Sequence, residues 1–302
     1  MPNFTVGMVG IGQLGLPIAT KLINAGFRVV GYRRTDRAAF VALGGVALNT
    51  PAEVAEQADF ILMCLPNESA QLEVMEGSAG LLSALTSSHT LIEMGTYDRN
   101  FKLNLQRRIH QTTAQVLESE VSGSPPMVAQ GKAALLLGGS EELIDSCRHV
   151  LNAISLIQIR IGDFGSAVTM KLIANYLVTI HTLAAAEAMN LGIRAGYAPQ
   201  KIFDVISQGA GASTMFSVRG PLMVSRNYSP APGPFCTLEK YIHMSADLAE
   251  NLGCATPLFT AARPYFERAI QEGRGLQDIA AVLELIDADS KPHVVRNIYH
   301  AN

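Results

Sequence analysis

Residues 4 to 25 carry the pattern that most restricts the folds open to this chain. Phe4 to Val9 alternates and then runs apolar, Gly10-Ile11-Gly12-Gln13-Leu14-Gly15 follows, and Leu16 to Ala25 reads as a helix. A strand, Gly-x-Gly-x-x-Gly and a helix, in that order, are the setting in which this glycine spacing has a physical meaning. Gly10 permits a tight turn, Gly12 lets a pyrophosphate approach the backbone, and Gly15 lets the helix pack on the strand. The helix start then offers N–H groups to an anion. Gly10, Ile11, Gly12, Gln13, Leu14 and Gly15 are therefore candidate dinucleotide-binding residues.

The second strand, Phe27 to Tyr32, ends in Arg33-Arg34-Thr35. About twenty residues past such a fingerprint an acidic residue would hold the ribose hydroxyl of NAD. Two guanidinium groups and a hydroxyl suit a phosphate instead, because arginine presents a fixed fork of donors and keeps its charge. This predicts NADP(H) in preference to NAD(H), read by Arg33, Arg34 and Thr35.

Further strands follow at Asp59 to Leu65, closed by Pro66, and at Leu91 to Met94, followed by Gly95-Thr96. Val116 to Val121 leads into Ser122-Gly123-Ser124-Pro125-Pro126, and Ala133 to Leu137 and Leu156 to Ile161 complete the series. Near-continuous apolar runs of this kind suit strands covered on both faces, and their ends, such as Leu65 and Pro66, point into a ligand crevice. Strands alternating with helices predict a right-handed, doubly wound sheet. Past Gly162 the signal changes to helices at 199–208, 220–226, 238–252, 257–272 and 276–286, with the tail from Asp287 unassigned. At 302 residues the chain exceeds one ordinary core. The fold class is α/β: a Rossmann-like doubly wound sheet over 1–162, then an all-α substrate and dimerisation domain over 163–302, entered through a long interdomain helix.

That helix, Phe164 to Gly192, is free of proline and carries Lys171 and Asn175 four residues apart, on one face. Its apolar residues Val168, Leu172, Leu183, Ala186 and Met189 predict burial on several sides. If Lys171 lies in a cleft, desolvation makes its amine usable as a proton donor and acceptor near neutral pH. The net charge of −3, without a basic block, leaves no footprint for nucleic acid. With 48% hydrophobic and 16% charged residues, a homodimer or homotetramer is expected. The start MPNFTVGMVG lacks the features of a signal peptide and no later run is read as a membrane span, which predicts a cytoplasmic protein. Cys64, Cys147, Cys236 and Cys254 lack paired spacing and the histidines lack ligand spacing, so neither a disulfide framework nor a metal is expected.

Taken together, the chain resembles the β-hydroxyacid dehydrogenase family over nearly its whole length. The resemblance rests on GIGQLGLPIA at 10–19, Leu65-Pro66, Val121-Ser122-Gly123 with Gly131 and Gly138-Gly139, and Lys171 with Asn175. It continues through Ala186-Glu187-Ala188, Ala195-Gly196, Lys240, and Gly273-x-Gly275-x-x-Asp278. It implies a nicotinamide-dependent oxidoreductase of small semialdehydes and β-hydroxy acids, in which Lys171 is the catalytic acid and base. Ser122 and Gly123 would hold the substrate carboxylate, Asn175 would position the substrate, and Thr96 and Lys240 would lie along the cofactor. Departures from the family pattern gather around the substrate: Ser124 for a glycine, then Pro125-Pro126, Ala167, Ala174, Tyr241, and a shorter 230–240 segment. Imine reduction on the same fold is the alternative chemistry, against which the retained Lys171 argues. A non-enzymic NADP-binding protein is the other alternative, and it would give Lys171, Asn175 and Ser122 no reason to coincide.

Overall fold

The sheet grows outward from strands with no wet face. In this computed structural model, which describes residues 4–291, Val6, Met8, Ile61, Leu62, Leu91 and Ile92 are all fully buried. They lie on β1 (Thr5–Val9), β4 (Phe60–Met63) and β5 (Thr90–Glu93), with β2 (Arg28–Tyr32) and β3 (Val46–Ala47) beyond β1. β6 (Gln115–Ser122), β7 (Ala134–Gly138) and β8 (Gln158–Gly162) continue the other side, giving the order β3-β2-β1-β4-β5-β6-β7-β8. The connecting helices are α1 (Gly15–Asn24), α2 (Ala38–Ala42), α3 (Pro51–Ala55), α4 (Glu68–Glu76), α5 (Arg99–Gln111), α6 (Pro125–Ala129) and α7 (Glu141–Ile154).

Two features of the sheet depart from the sequence expectation. β3 is absent from it, because a two-residue strand has no period to read. β7 runs antiparallel to β6, not parallel. The link between them, residues 123–133, is shorter than the dozen or more residues that a parallel crossover takes, so the chain turns straight back.

The second half is helical throughout: α8 (Ser166–Arg194), α9 (Pro199–Ser207), α10 (Thr214–Ser225), α11 (Phe235–Asn251), α12 (Pro257–Gln271) and α13 (Val282–Asp289). Its core includes Leu183 and Met189 of α8 with Phe216, Phe235, Phe259 and Phe266. α10 starts at Thr214, earlier than the expected residue 220, because the Ser213 side chain caps it by accepting from Phe216 N at 3.0 Å. Gly220 and Pro221, expected at the helix start, lie inside it; a Cβ on Gly220 would come within 2.4 Å of the Phe203 ring. The segment expected as one helix from 276 opens with a 3-10 turn, Ile279–Ala281, before α13. Asp278 sets that start, accepting from Ala280 N at 2.9 Å and Arg219 Nη1 at 2.6 Å. Of the tail left unassigned, residues 292–302 lie outside the described residues.

The chain divides into two compact units, Met1–Lys171 and Leu172–Asn302, so α8 contributes to both. By length and composition this helix is able to cross a bilayer, contrary to the sequence expectation, with a mean hydropathy of 1.3 in its most apolar window. Of that window 44% is buried inside the protein, and Leu183, Ala186 and Met189 help to fill the helical core.

Candidate active site

The loop from β1 to α1 is built by close approach. Gly10 has a φ of +95°, a conformation costly for a residue with a Cβ, and a Cβ there would lie 2.4 Å from the Cys64 carbonyl oxygen. A Cβ on Gly15 would lie 2.0 Å from the Gly10 oxygen, whereas one on Gly12 would meet nothing within 4 Å. Gly10 and Gly15 are thus required by the fold itself, and Gly12 leaves open room beside the backbone. Ile11 is buried, Leu14 half-buried and Gln13 exposed. α1 begins without a side-chain cap and without an acidic residue in its first turn, so its leading N–H groups face no competing anion of their own helix. These residues fit a dinucleotide, whose pyrophosphate Gly10 to Gly15 would hold.

Past β2, Arg34 Nη1 pairs with Glu73 Oε2 at 3.0 Å on the surface, and Thr35 is exposed. The half-buried Arg33 accepts a hydrogen bond at its carbonyl from Arg37 Nε at 2.7 Å. Arg37 was not singled out by the sequence. Its guanidinium lies 5.6 Å from the Tyr32 ring centroid, so three arginines crowd this strand end. Leu65 is half-buried beyond β4 and accepts at its carbonyl from Tyr97 Oη at 3.0 Å, while Pro66 beside it is exposed.

Lys171 lies in the second turn of α8 and is only 8% exposed. Its Nζ donates to Thr96 Oγ1 at 2.7 Å and to Glu120 Oε2 at 3.1 Å. The Thr96 hydroxyl in turn donates to Glu120 Oε2 at 2.7 Å. Thr96, expected along the cofactor, therefore has its hydroxyl turned to Lys171 and Glu120. Side chains alternate along a strand, so Glu118, Glu120 and Ser122 share one face of β6. Lys102 of α5 bridges the two glutamates, donating to Glu118 Oε1 at 3.1 Å and to Glu120 Oε1. Glu118 also receives the start of α8: Gly165 N at 2.7 Å, Ala167 N at 3.0 Å and Val168 N at 3.0 Å.

Lys102, Glu118 and Glu120 are fully buried, where an unpaired charge would cost several kcal/mol. Burial pushes the Glu120 carboxyl upward, but Lys102 and Lys171 outweigh it and hold the group below its ordinary range. Burial likewise works to lower Lys102, and the carboxylates of Glu120, Glu118 and Glu93 overcome it and raise the group. Glu93, at the end of β5, is pushed up to about 8, chiefly by burial. It accepts from Gly95 N at 2.6 Å and from Gln71 Nε2 at 2.9 Å. Glu120 is thus held ionised between Lys102 and Lys171. None of Glu93, Lys102, Glu118 and Glu120 was singled out from the sequence, although two glutamates at alternate positions of an apolar run, VLESEV, were the visible signal.

Ser122 is half-buried at the end of β6, and Gly123 follows with a φ of +149°. A Cβ on Gly123 would sit 2.9 Å from that of Ala133, so this turn takes only glycine without rearrangement. Asn175 is half-buried one turn beyond Lys171 on α8. Lys240 belongs to α11 of the helical unit, its Nζ 6.0 Å from the Tyr241 ring centroid. The N-terminal unit therefore gathers the glycine loop, Thr96, Ser122 and Lys171, and the helical unit carries Asn175 and Lys240.

Comparison with known proteins identifies the family of the chain. Residues 5–162 match the family model described as the NAD binding domain of 6-phosphogluconate dehydrogenase. Residues 165–286 match that described as the NAD-binding of NADP-dependent 3-hydroxyisobutyrate dehydrogenase. L-threonate dehydrogenase of Cupriavidus necator is 31% identical, over 95% of this chain and 97% of the relative. Glyoxylate/succinic semialdehyde reductase 2 of Arabidopsis thaliana is 28% identical, over 94% of this chain and 80% of the relative. The crystal structure of 3-hydroxyisobutyrate dehydrogenase from Salmonella typhimurium superposes with a TM-score of 0.82 at 28% identity, covering 94% of this chain and 100% of that one. With both halves matched in order and a full-length relative above 30% identity, the chain belongs to the β-hydroxyacid dehydrogenase family of nicotinamide-dependent oxidoreductases.

Proposed function

We propose that the protein uses NADP(H) in preference to NAD(H) to interconvert a small semialdehyde, of the 2-hydroxy-3-oxo or 3-oxo acid type, and its β-hydroxy acid. In this reading Lys171 is the proton donor and acceptor, and the chain works as a homodimer or homotetramer in the cytoplasm. The bound cofactor supplies the hydride in reduction and accepts it in oxidation. Negative charge then grows on the carbonyl oxygen, where the Lys171 ammonium stabilises the oxyanion and gives it a proton. In the reverse direction the neutral amine takes the proton of the alcohol.

One observation carries the assignment: the buried Lys171 amine is held at 2.7 Å by Thr96 and 3.1 Å by Glu120, on the strand face that ends in Ser122. The Ser122 hydroxyl and the Gly123 N–H are the donors for the substrate carboxylate, and Asn175 positions the substrate one turn along the helix from Lys171. Lys240 lies along the cofactor. Arg33, Arg34 and Thr35 supply donors for a 2′-phosphate. The relatives named for L-threonate, glyoxylate and succinic semialdehyde support a small carboxylate as the substrate class.

The test follows NADPH absorbance against glyoxylate and the succinic, methylmalonate and tartronate semialdehydes. L-threonate with the oxidised cofactors and a cyclic imine complete the panel. Lys171→Ala is expected to lose about 10²- to 10⁴-fold in kcat, the usual contribution of a general acid, with NADPH binding retained. No turnover of any acid in the panel, or an unimpaired Lys171→Ala protein, sinks the reading.

A further inference from the structure

Beneath Lys171 lie a second lysine and two glutamates that proton transfer at a carbonyl does not by itself require. Such a cluster is costly to bury, and its worth lies in what it does to the amine above it. We propose that Glu120 is a positioning residue for Lys171: it fixes where the amine points and sets how readily that amine gives up its proton, with Lys102 sharing its charge. The inference rests on the reading of Lys171 as proton donor and adds the group that tunes it.

The two oxygens of Glu120 are divided between the lysines. Oε2 accepts from Lys171 Nζ at 3.1 Å and from the Thr96 hydroxyl at 2.7 Å, and Oε1 accepts from Lys102. Glu120 stands two residues before Ser122 on the same face of β6, roughly 7 Å along the strand. The amine is thereby tethered just below the point where the strand opens into the Ser122-Gly123 turn. Glu118, two residues earlier, fastens the start of α8 to the same strand by three backbone bonds. One strand face thus holds both the helix and the working end of its lysine.

The electrostatics run in the same direction. Lys171 is among the groups that keep Glu120 ionised, and the attraction is mutual, so charge on Glu120 makes the Lys171 proton harder to remove. Lys102 on the far oxygen moderates this, since one carboxylate then serves two ammonium groups. Among the described residues, the charged and titratable groups around the pair include Lys102 from α5, Glu93 from β5, Tyr97 just beyond it, and Glu118 from β6. Glu93 itself feels the charge of Glu120, so any pH experiment must separate the two.

The experiment compares the pH profile of kcat for carbonyl reduction in wild type, Lys171→Ala and Glu120→Gln, with NADPH binding followed by fluorescence. Reduction needs the ammonium, so the rate falls on the alkaline side as the proton is lost. Glu120→Gln keeps the shape and removes the charge. It is expected to move that alkaline limb toward acid by about 1 to 3 pH units, the usual effect of one adjacent opposite charge. A purely structural role would lower the rate without moving the limb. The same pair of profiles is taken in a Glu93→Gln background, where the shift should persist. If Glu120→Gln does not bind NADPH, the charge-balanced Lys102→Met/Glu120→Gln double variant replaces it, with the same direction expected. An unmoved limb beside an inactive Lys171→Ala protein overturns the role of Glu120 and leaves that of Lys171 standing. A shift that vanishes in the Glu93→Gln background overturns it too, and an active Lys171→Ala protein overturns both.

Discussion

Arg33 and Arg34 are neighbours in the chain but not equivalents on the surface. Arg34 is paired with Glu73 at 3.0 Å, both side chains well exposed, and such a pair contributes about 0–1 kcal/mol, little enough for a phosphate to displace it. Arg33 is half-buried and joined through its carbonyl to Arg37. A charge-assisted bond from either guanidinium to a 2′-phosphate is worth about 1.5–3 kcal/mol. Arg33→Asp or Arg34→Asp should therefore lower the NADPH-to-NADH ratio of kcat/KM by roughly ten- to a hundredfold. Steady-state kinetics with both cofactors measure it. Selectivity unchanged in both variants would mean that the phosphate is read elsewhere, with Arg37 the next residue to change. The arginines at 33 and 34 were legible because they follow a strand at a fixed distance from the glycine loop. Arg37 was not, because its place depends on how the chain folds back over Tyr32.

At the scale of elements, β6 and α8 form one device. An α-helix leaves its first N–H groups unpaired, and here three backbone N–H groups at the start of α8 are met by a single buried carboxylate, Glu118. A carboxylate at this end of a helix also complements the helix dipole. Gly138 on β7 belongs to the same arrangement, since a Cβ there would lie 2.4 Å from Glu118 Oε2. Glu118→Ala leaves those donors and Lys102 short of an acceptor in a dry interior. It should cost about 3–5 kcal/mol, the range for breaking a buried pair, with Glu118→Gln costing less. Urea unfolding followed by circular dichroism tests this, and an unshifted midpoint for Glu118→Ala would contradict the assigned cap. The sequence made both elements visible, β6 by its apolar run and α8 by its length. Their partnership was hidden, because residues 118 and 165 meet only once the sheet is formed.

For the whole molecule, the outward residues of α8 bear on assembly. Ile173, Leu177 and Leu191 are 47%, 45% and 72% exposed, and Ala184 falls at the matching helical spacing. A long apolar stripe of this kind on a family member of this composition is a candidate surface for a second copy of the chain. Light scattering after size exclusion should give a multiple of 32.3 kDa for wild type and a shift toward 32.3 kDa for Leu177→Glu. A monomeric wild type would remove the homo-oligomer proposal. Apolar composition alone suggested assembly, whereas the exposed apolar face of α8 became visible only with burial assigned residue by residue.

What the sequence determined by itself was local: the glycine loop between strand and helix, most strand positions, and the long proline-free helix with Lys171 and Asn175 on one face. Backbone geometry and side-chain period are properties of neighbouring residues, so spacing is enough to reveal them. Only the tertiary structure decided that β7 turns back against β6, and that Lys102, Glu118, Glu120 and Lys171 converge in a dry pocket from three separate elements. Such pairings depend on which strands adjoin and what they bury, and burial is what turns an ordinary lysine and glutamate into a strongly coupled pair.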